Sequence, residues 1–403
     1  MNVLVGSGLT TAIANAAGAP QVDMSPIVFR CTYADEVTRA AREAAKRLGR
    51  DEANIEDQVR TINELTGGLR ILAGDDGGDE ARKKTALREW RSALDATLAE
   101  LLRKLLGTER GIAAALSGRQ EGASASVRHL LGGFLLPFAS RTATRERAHI
   151  FTTNYDRLIE RGCDMLGLRV IDRFVGSLAP VFHSSRLGID LHYNPPGIRG
   201  EPRYLEGVVR FTKLHGSVDW RIVVRPTGGV SIQRCGLPFG AADNHPDVPN
   251  DASEQLLVYP NAAKDVETLE FPYAELFRDF AAAVCQPNAV VVTYGYGFGD
   301  DHVNRILRDM LSIPSTHLVA ISYDEAGGRL KAFHNLAGRE AQITLLVGSH
   351  FGDLATLVEH YLPKPAIDRT TWRMVDLLNR RARPGSEKTG QRQHGRPEDE
   401  ERP

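Results

Sequence analysis

The chain has 403 residues, 42% hydrophobic and 25% charged, enough to bury a full core in one large domain with an insertion or smaller second domain. Fifty basic residues against fifty-one acidic ones leave a formal charge of -1, which excludes a global field that would recruit nucleic acid or an acidic membrane. No apolar run approaches the roughly eighteen residues of a membrane span, so no membrane association is expected.

The first element is the strand NVLV (2 to 5), running into the turn VGSGLTTA. It has no basic leader of the kind that opens a signal peptide. From about Ala34 to Arg147 the chain is rich in Ala, Leu, Arg and Glu, with no strand pattern. In TALREWRSALDATLAELLRKLLG, Leu87, Trp90, Leu94, Leu98, Leu101, Leu102 and Leu105 recur mostly at steps of three and four. That spacing predicts an amphipathic helix, with Gly107 just past its end. GDDGGDEARKK and SGRQEGASAS read as connecting loops.

Strand signals resume at HIF (149 to 151), VVRF (208 to 211), LLVY (256 to 259), AVVVTY (289 to 294), HLVAIS (317 to 322) and ITLLV (343 to 347). Such β-branched runs suit strands buried on both faces. Helical stretches such as DHVNRILRDML and DEAGGRLKAFHNLA separate the last three, and RIVVRPTGGVSIQR reads as a hairpin. Alternating signals predict an α/β fold: a Rossmann-like, doubly wound, mostly parallel sheet with a large helical insertion. The expected division is 1–33 first strand and glycine turn, 34–147 helical insertion, 148–365 remainder of the sheet domain, 366–383 C-terminal helix and 384–403 disordered tail.

Four segments fall at the carboxyl ends of predicted strands, where open α/β sheets bind ligands: VGSGLTTA, TTNYD, KLHGSVDW and YGYGFGDDH. Gly6 and Gly8 permit a tight turn and close approach of backbone N–H groups to a pyrophosphate. Gly295, Gly297 and Gly299 supply a second such stretch. Asn154 and Asp156, two apart on extended chain, either present themselves to a ligand or cap the helix begun by RLIERGCDML. His215 joins them at the next strand end, so that an acid, an amide and a base share one cleft. Asp300 and Asp301 read as helix-start residues. Cys31, Cys163, Cys235 and Cys285 are scattered without a CxxC pair, which points to reduced thiols in a cytoplasmic protein and to no metal site.

Taken in order, the glycine turn, T-x-N-x-D, L-H-G and late G-x-G turn resemble the sirtuins. TTNYD, KLHGS and GYGFGDDH are similar to the bacterial sirtuin-like proteins of anti-phage defence, over Val3 to Thr10 and roughly Ala148 to Leu362. The resemblance implies a Rossmann-type domain that binds NAD+ and breaks its bond from nicotinamide to ribose. It implies Asn154 as catalytic asparagine, Asp156 at the nicotinamide pocket and His215 as general base. Gly6, Gly8 and Thr10 match the first phosphate turn, with Thr153 beside the asparagine. Gly295, Tyr296 and Gly297 match the later turn, and Ser322 and Asp324 fall where the family contacts the adenosine ribose. The four-cysteine zinc ribbon of the deacetylases is missing. The resulting expectation is an NAD+ glycohydrolase of anti-phage defence, acting as a homo-oligomer with a HerA-like ATPase or a short Argonaute as partner. An NAD-dependent protein deacylase and a non-catalytic nucleotide-sensing subunit are the alternatives.

Overall fold

The computed structural model describes residues 1–47, 49–72, 80–118, 121–139, 147–185, 188–193, 203–224, 229–258 and 271–363. Strand β1 (Asn2–Val5) runs directly into α1 (Ser7–Ala17). Four helices follow, α2 (Ala34–Arg47), α3 (Ile55–Leu72), α4 (Glu80–Leu116) and α5 (Glu121–Ala139), before β2 (His149–Thr152) and α6 (Leu158–Leu166). Next come β3 (Arg169–Ile171), β4 (Phe174–Val175), β5 (Val181–Phe182), β6 (His192–Tyr193), β7 (Arg203–Tyr204), β8 (Val208–Lys213), β9 (Gly216–Val224), β10 (Val230–Arg234), α7 (Ala252–Gln255) and β11 (Leu256–Val258). The chain then alternates through α8 (Tyr273–Val284), β12 (Val290–Tyr294), α9 (Asp301–Leu311), β13 (His317–Ser322), α10 (Arg329–Ala337) and β14 (Ile343–Val347).

Seven strands form one sheet in the order β14-β13-β12-β1-β2-β8-β3, and every neighbouring pair is parallel. Alternate side chains explain why both faces are covered. Val3, Val5 and Ile150 pack with α1, α5 and α6, whereas Leu4, Phe151 and Val291 pack with α8, α9 and α10. The α/β, doubly wound reading therefore holds. Connectivity runs outward from β1 on both sides, to β2 and to β12, which places the switch in strand order beside β1. Val5 is level with Thr152 and with Tyr294, and Thr152 with Lys213. Gly6, Thr153, Leu214 and Gly295 consequently emerge side by side along one edge.

Several elements differ from the sequence pattern. The described part of LLVY, Leu256–Val258, forms β11 in a separate five-stranded sheet, ordered β11-β9-β10-β5-β4 and antiparallel in its pairings. Its Leu256 is buried against the core of the inserted helices, so an apolar strand residue finds its cover outside the parallel sheet. Arg169–Ile171 joins the parallel sheet at its edge, where exposure of Arg169 erases the apolar signal. Gly107 does not end its helix. Helix α4 runs to Leu116 because Thr108, Glu109, Ile112 and Ala115 continue the buried stripe, and that packing outweighs the roughly 1 kcal/mol cost of an internal glycine. Helix α5 likewise begins at Glu121, inside the stretch read as a loop. The expected C-terminal helix and tail lie outside the described residues.

The inserted helices share a core of their own. Val37, Ile55, Val59, Ile62, Trp90, Leu94, Leu98 and Leu102 pack together, and that cluster extends to Tyr155, Val218 and Leu237. Helix α3 starts with a reciprocal cap: Asp57 N–H donates to Asn54 Oδ1 and Asn54 N–H to Asp57 Oδ2, each at 2.9 Å. That cap fixes the backbone at the start of α3.

Candidate active site

A cavity of about 630 Å³ opens at the carboxyl ends of β1, β2, β8 and β12. The sheet side is lined by Gly6, Thr10, Thr153, Asn154, Asp156, His215, Tyr296 and Gly297, together with Asp300. The opposite wall comes from the insertion: Arg50, Asn54, Glu56, Asp57 and Arg60 at the start of α3, and Leu105 and Thr108 from α4. Its size falls within the range of small-molecule sites.

The turns after β1 and β12 lock into each other. Gly6 N–H donates to Tyr294 O and Gly8 N–H to Gly295 O, both at 3.0 Å. A Cβ on Gly6 would lie 2.4 Å from Gly295 O, and one on Gly8 2.5 Å from Gly295 Cα; Gly295 itself has φ +61°. The amides that the sequence pattern offered to a pyrophosphate therefore bond to the neighbouring turn. This contact alone demands glycine at all three positions. Gly6 lines the cavity, whereas Gly8 and Gly295 do not.

Asn154 is set by three bonds. Its backbone N–H donates to Thr152 Oγ1 at 3.0 Å, and its Nδ2 donates to Gly6 O at 3.0 Å and Thr10 Oγ1 at 3.1 Å. Both amide hydrogens are engaged, so the side chain offers Oδ1, an acceptor, to a ligand. Thr10 passes the order on by donating to Asp156 Oδ2 at 2.7 Å, while Asp156 Oδ1 accepts from Leu158 N–H at 3.0 Å. Asp156 thus serves the helix start as well as the cavity wall; the two readings of this residue coexist.

The loop carrying these residues is pinned from three more directions. Lys213 Nζ, buried at the end of β8, donates to Asp156 O and, at 3.3 Å, to Tyr155 O. Tyr155 OH donates to Glu56 Oε1 at 2.5 Å. Arg157 is buried and paired with the equally buried Glu109 of α4, Nη2 to Oε2 at 2.5 Å and Nε to Oε1 at 3.2 Å. Removing one partner of such a pair costs about 3–5 kcal/mol, because a buried charge is left uncompensated.

His215 precedes β9, and its Nε2 lies 2.6 Å from Asp300 Oδ2. Burial disfavours the imidazolium, but the hydrogen bond and charge of Asp300, with Glu56 behind them, outweigh burial and the opposing charge of Arg60. The net result is a pKa above the usual 6.5. For Asp300, burial likewise works against the charge, while His215 and the Val303 amide pull its pKa below the ordinary 3.8. Asp300 also caps α9, accepting from His302 and Val303 N–H at 2.8 and 3.2 Å. The sequence pattern supplied the second role and missed the first.

Ser322 ends β13 and Asp324 follows it, and neither lines the cavity; Asp324 is exposed and accepts from Ala326 N–H at 2.7 Å. Missed by the sequence pattern were Asp300 as a histidine partner, Glu56, Arg50, Arg60 and Arg329. Only Asp300 sat inside a recognisable motif. Glu56, Arg50 and Arg60 reach the site through the fold of the insertion, and Arg329 reaches it from the start of α10. Among the described residues no three His, Cys, Asp or Glu side chains are grouped to hold a metal ion, and no helix is long and apolar enough to cross a membrane.

An all-parallel sheet with a polar cavity at its switch point places the chain among the open, doubly wound α/β proteins, whose ligands bind in that crevice. Residues 148–342, just under half of the chain, match the family described as the SIR2-like domain. That span contains Asn154, Asp156, His215 and Asp300, and leaves out β1, α1 and the inserted helices. No curated protein matches the chain. The match supports a sirtuin-like protein; a domain of this kind implies NAD+ binding and suggests an NAD-dependent enzyme.

Proposed function

We propose that the chain is an NAD+ glycohydrolase that releases nicotinamide and ADP-ribose. The observation that carries this reading is the partly buried His215–Asp300 pair in the same cavity as the oriented acceptor Oδ1 of Asn154. The bond between ribose C1′ and the nicotinamide nitrogen breaks, and its electron pair leaves with neutral nicotinamide. Positive charge then builds on the ribose, where the dipole of Asn154 Oδ1 opposes it. Water adds to C1′, and its proton passes to His215. The bond to Asp300 keeps a proton on Nε2, so Nδ1 is the accepting nitrogen, and Asp300 stabilises the imidazolium that results. Asp156, held by Thr10 and Leu158, forms the nicotinamide end.

We further infer, from the likeness to sirtuin-like defence proteins, a role as effector of an anti-phage system in the cytoplasm, as a homo-oligomer working with a HerA-like ATPase or a short Argonaute. The test is product analysis. The chain, alone and with such a partner, is incubated with NAD+ in H2(18)O, with and without an acetyl-lysine peptide. Nicotinamide and ADP-ribose carrying one (18)O support the hydrolase. Peptide-dependent turnover to an acylated ADP-ribose supports a deacylase, and NAD+ binding without turnover a sensing subunit.

A further inference from the structure

The reaction above uses the sheet-side wall and leaves three cavity arginines without a task, Arg50, Arg60 and Arg329. Arg60 makes no hydrogen bond or ion pair among the described residues, yet lies close enough for its charge to oppose protonation of His215. Arg50 gives Nη2 to Asp57 Oδ1 at 2.6 Å, but its Nε is buried without a hydrogen-bond partner. Arg329 donates Nε to Gly297 O at 2.7 Å, which ties it to the late glycine turn. Its Cγ is 3.5 Å from where a Cβ on Gly49 would stand, so the two walls meet here, one residue from Arg50.

Two guanidinium groups of like charge are thus kept near each other across a concave, partly desolvated site. Burial and the charge of Arg50 both press the Arg329 pKa down, which expresses the same repulsion. A bound anion reverses its sign. Guanidinium forks match oxyanions in bidentate fashion, and two forks from opposite walls match two adjacent phosphates better than one. We propose that Arg50 of the insertion and Arg329 grip the diphosphate of a pyridine dinucleotide, so that the helical insertion forms part of the substrate site. The proposal rests on the NAD+ reading and assigns the insertion a recognition role within it.

The experiment is calorimetric binding of ADP-ribose and of nicotinamide riboside, which lacks phosphate, to the full chain and to Arg50→Gln, Arg329→Gln and the exposed control Arg305→Gln. The expected result is ADP-ribose binding weakened by about ten- to hundredfold in each of the first two variants, with nicotinamide riboside and the control unchanged. Arg329→Lys restores part of the loss, since a point charge replaces a fork. Inorganic pyrophosphate competes with ADP-ribose on the unmodified chain, an arm that does not depend on any variant folding. Equal ADP-ribose affinity in all proteins, without pyrophosphate competition, overturns the assignment and leaves the NAD+ reading standing. An unmodified chain that binds neither nucleotide overturns both.

Discussion

Asp300 holds His215 with one carboxylate oxygen and starts α9 with the other: Oδ2 lies 2.6 Å from His215 Nε2, and Oδ1 accepts from the amides of His302 and Val303. The end of one sheet element and the start of a helix 85 residues later in sequence are thereby joined through a single side chain. Because the cap fixes the carboxylate, the imidazole is oriented before any ligand arrives.

This relationship sets the pH response. The His215 pKa is raised, so the neutral base appears only as pH climbs past a value above 6.5, and the acid limb of kcat/KM should fall there. Asp300→Asn removes the charge that raises it and should move that limb to lower pH, which a pH–rate profile reads directly. Stability follows the linkage signs. The raised His215 contributes stability that is full below its unfolded pKa of about 6.5 and is lost as pH rises through the folded value. The lowered Asp300 contributes stability that is present above about 3.8 and is lost as pH falls through its folded value. Melting temperature against pH should therefore flatten at both ends in Asp300→Asn.

Asn154→Ala should lower kcat by about 10²–10³-fold, the loss typical of removing one oriented electrostatic group. ADP-ribose affinity should change little. The variant also loses the bonds to Gly6 O and Thr10 Oγ1 and should be less stable by about 1 kcal/mol each. Parallel calorimetry and denaturant titration separate the two effects.

Glu56 links the insertion to both strand ends, through the hydrogen bond from Tyr155 in the loop after β2 and through its charge on His215 after β8. Glu56→Gln should shift the acid limb downward by less than Asp300→Asn, because only a through-space charge is lost. Tyr155→Phe should leave that limb nearly in place while costing about 1 kcal/mol of stability. A shared, large shift in both variants would assign the effect to loop displacement instead.

Gly8→Ala places a methyl carbon 2.5 Å from Gly295 Cα, backbone against backbone. Relief requires the β1 and β12 turns to separate, at a cost of about 1–3 kcal/mol or more. Both stability and ADP-ribose binding should fall. Gly18→Ala is a poor comparison because its φ is +62°; Gly67→Ala, with nothing within 4 Å, is the better control.

How much of this could be read from the chain varies with the kind of signal. The parallel sheet was legible in runs such as HLVAIS, buried or half-buried along its length, because a strand covered on both faces need not alternate; ITLLV gave the same signal but forms the edge strand β14, where Thr344 and Leu345 are exposed. The site residues that sit within a few positions of those strand ends, Asn154, Asp156, His215 and the late glycine turn, were legible for the same reason. Arg50, Glu56 and Arg60 were not, because a solvated helix face and a cavity-lining one share the same polar composition, and only the fold of the insertion distinguishes them. Gly107 misled because a glycine signals an ending only when buried contacts do not continue past it, and α4 continues through Ile112 to Leu116. Gly6 and Gly8 were correctly marked as a tight turn, while the partner that requires them, Gly295, lies in the turn after β12, almost 290 residues away in sequence.

The most direct test of the central claim is the release of nicotinamide from NAD+ by the purified chain and by Asn154→Ala at matched NAD+ saturation, followed by chromatography. Nicotinamide and ADP-ribose appearing in equal amounts with the unmodified chain, and falling at least a hundredfold with the substitution, is the predicted result. Equal nicotinamide release by both proteins, or none from a chain saturated with NAD+ in the presence of its partner, would contradict it.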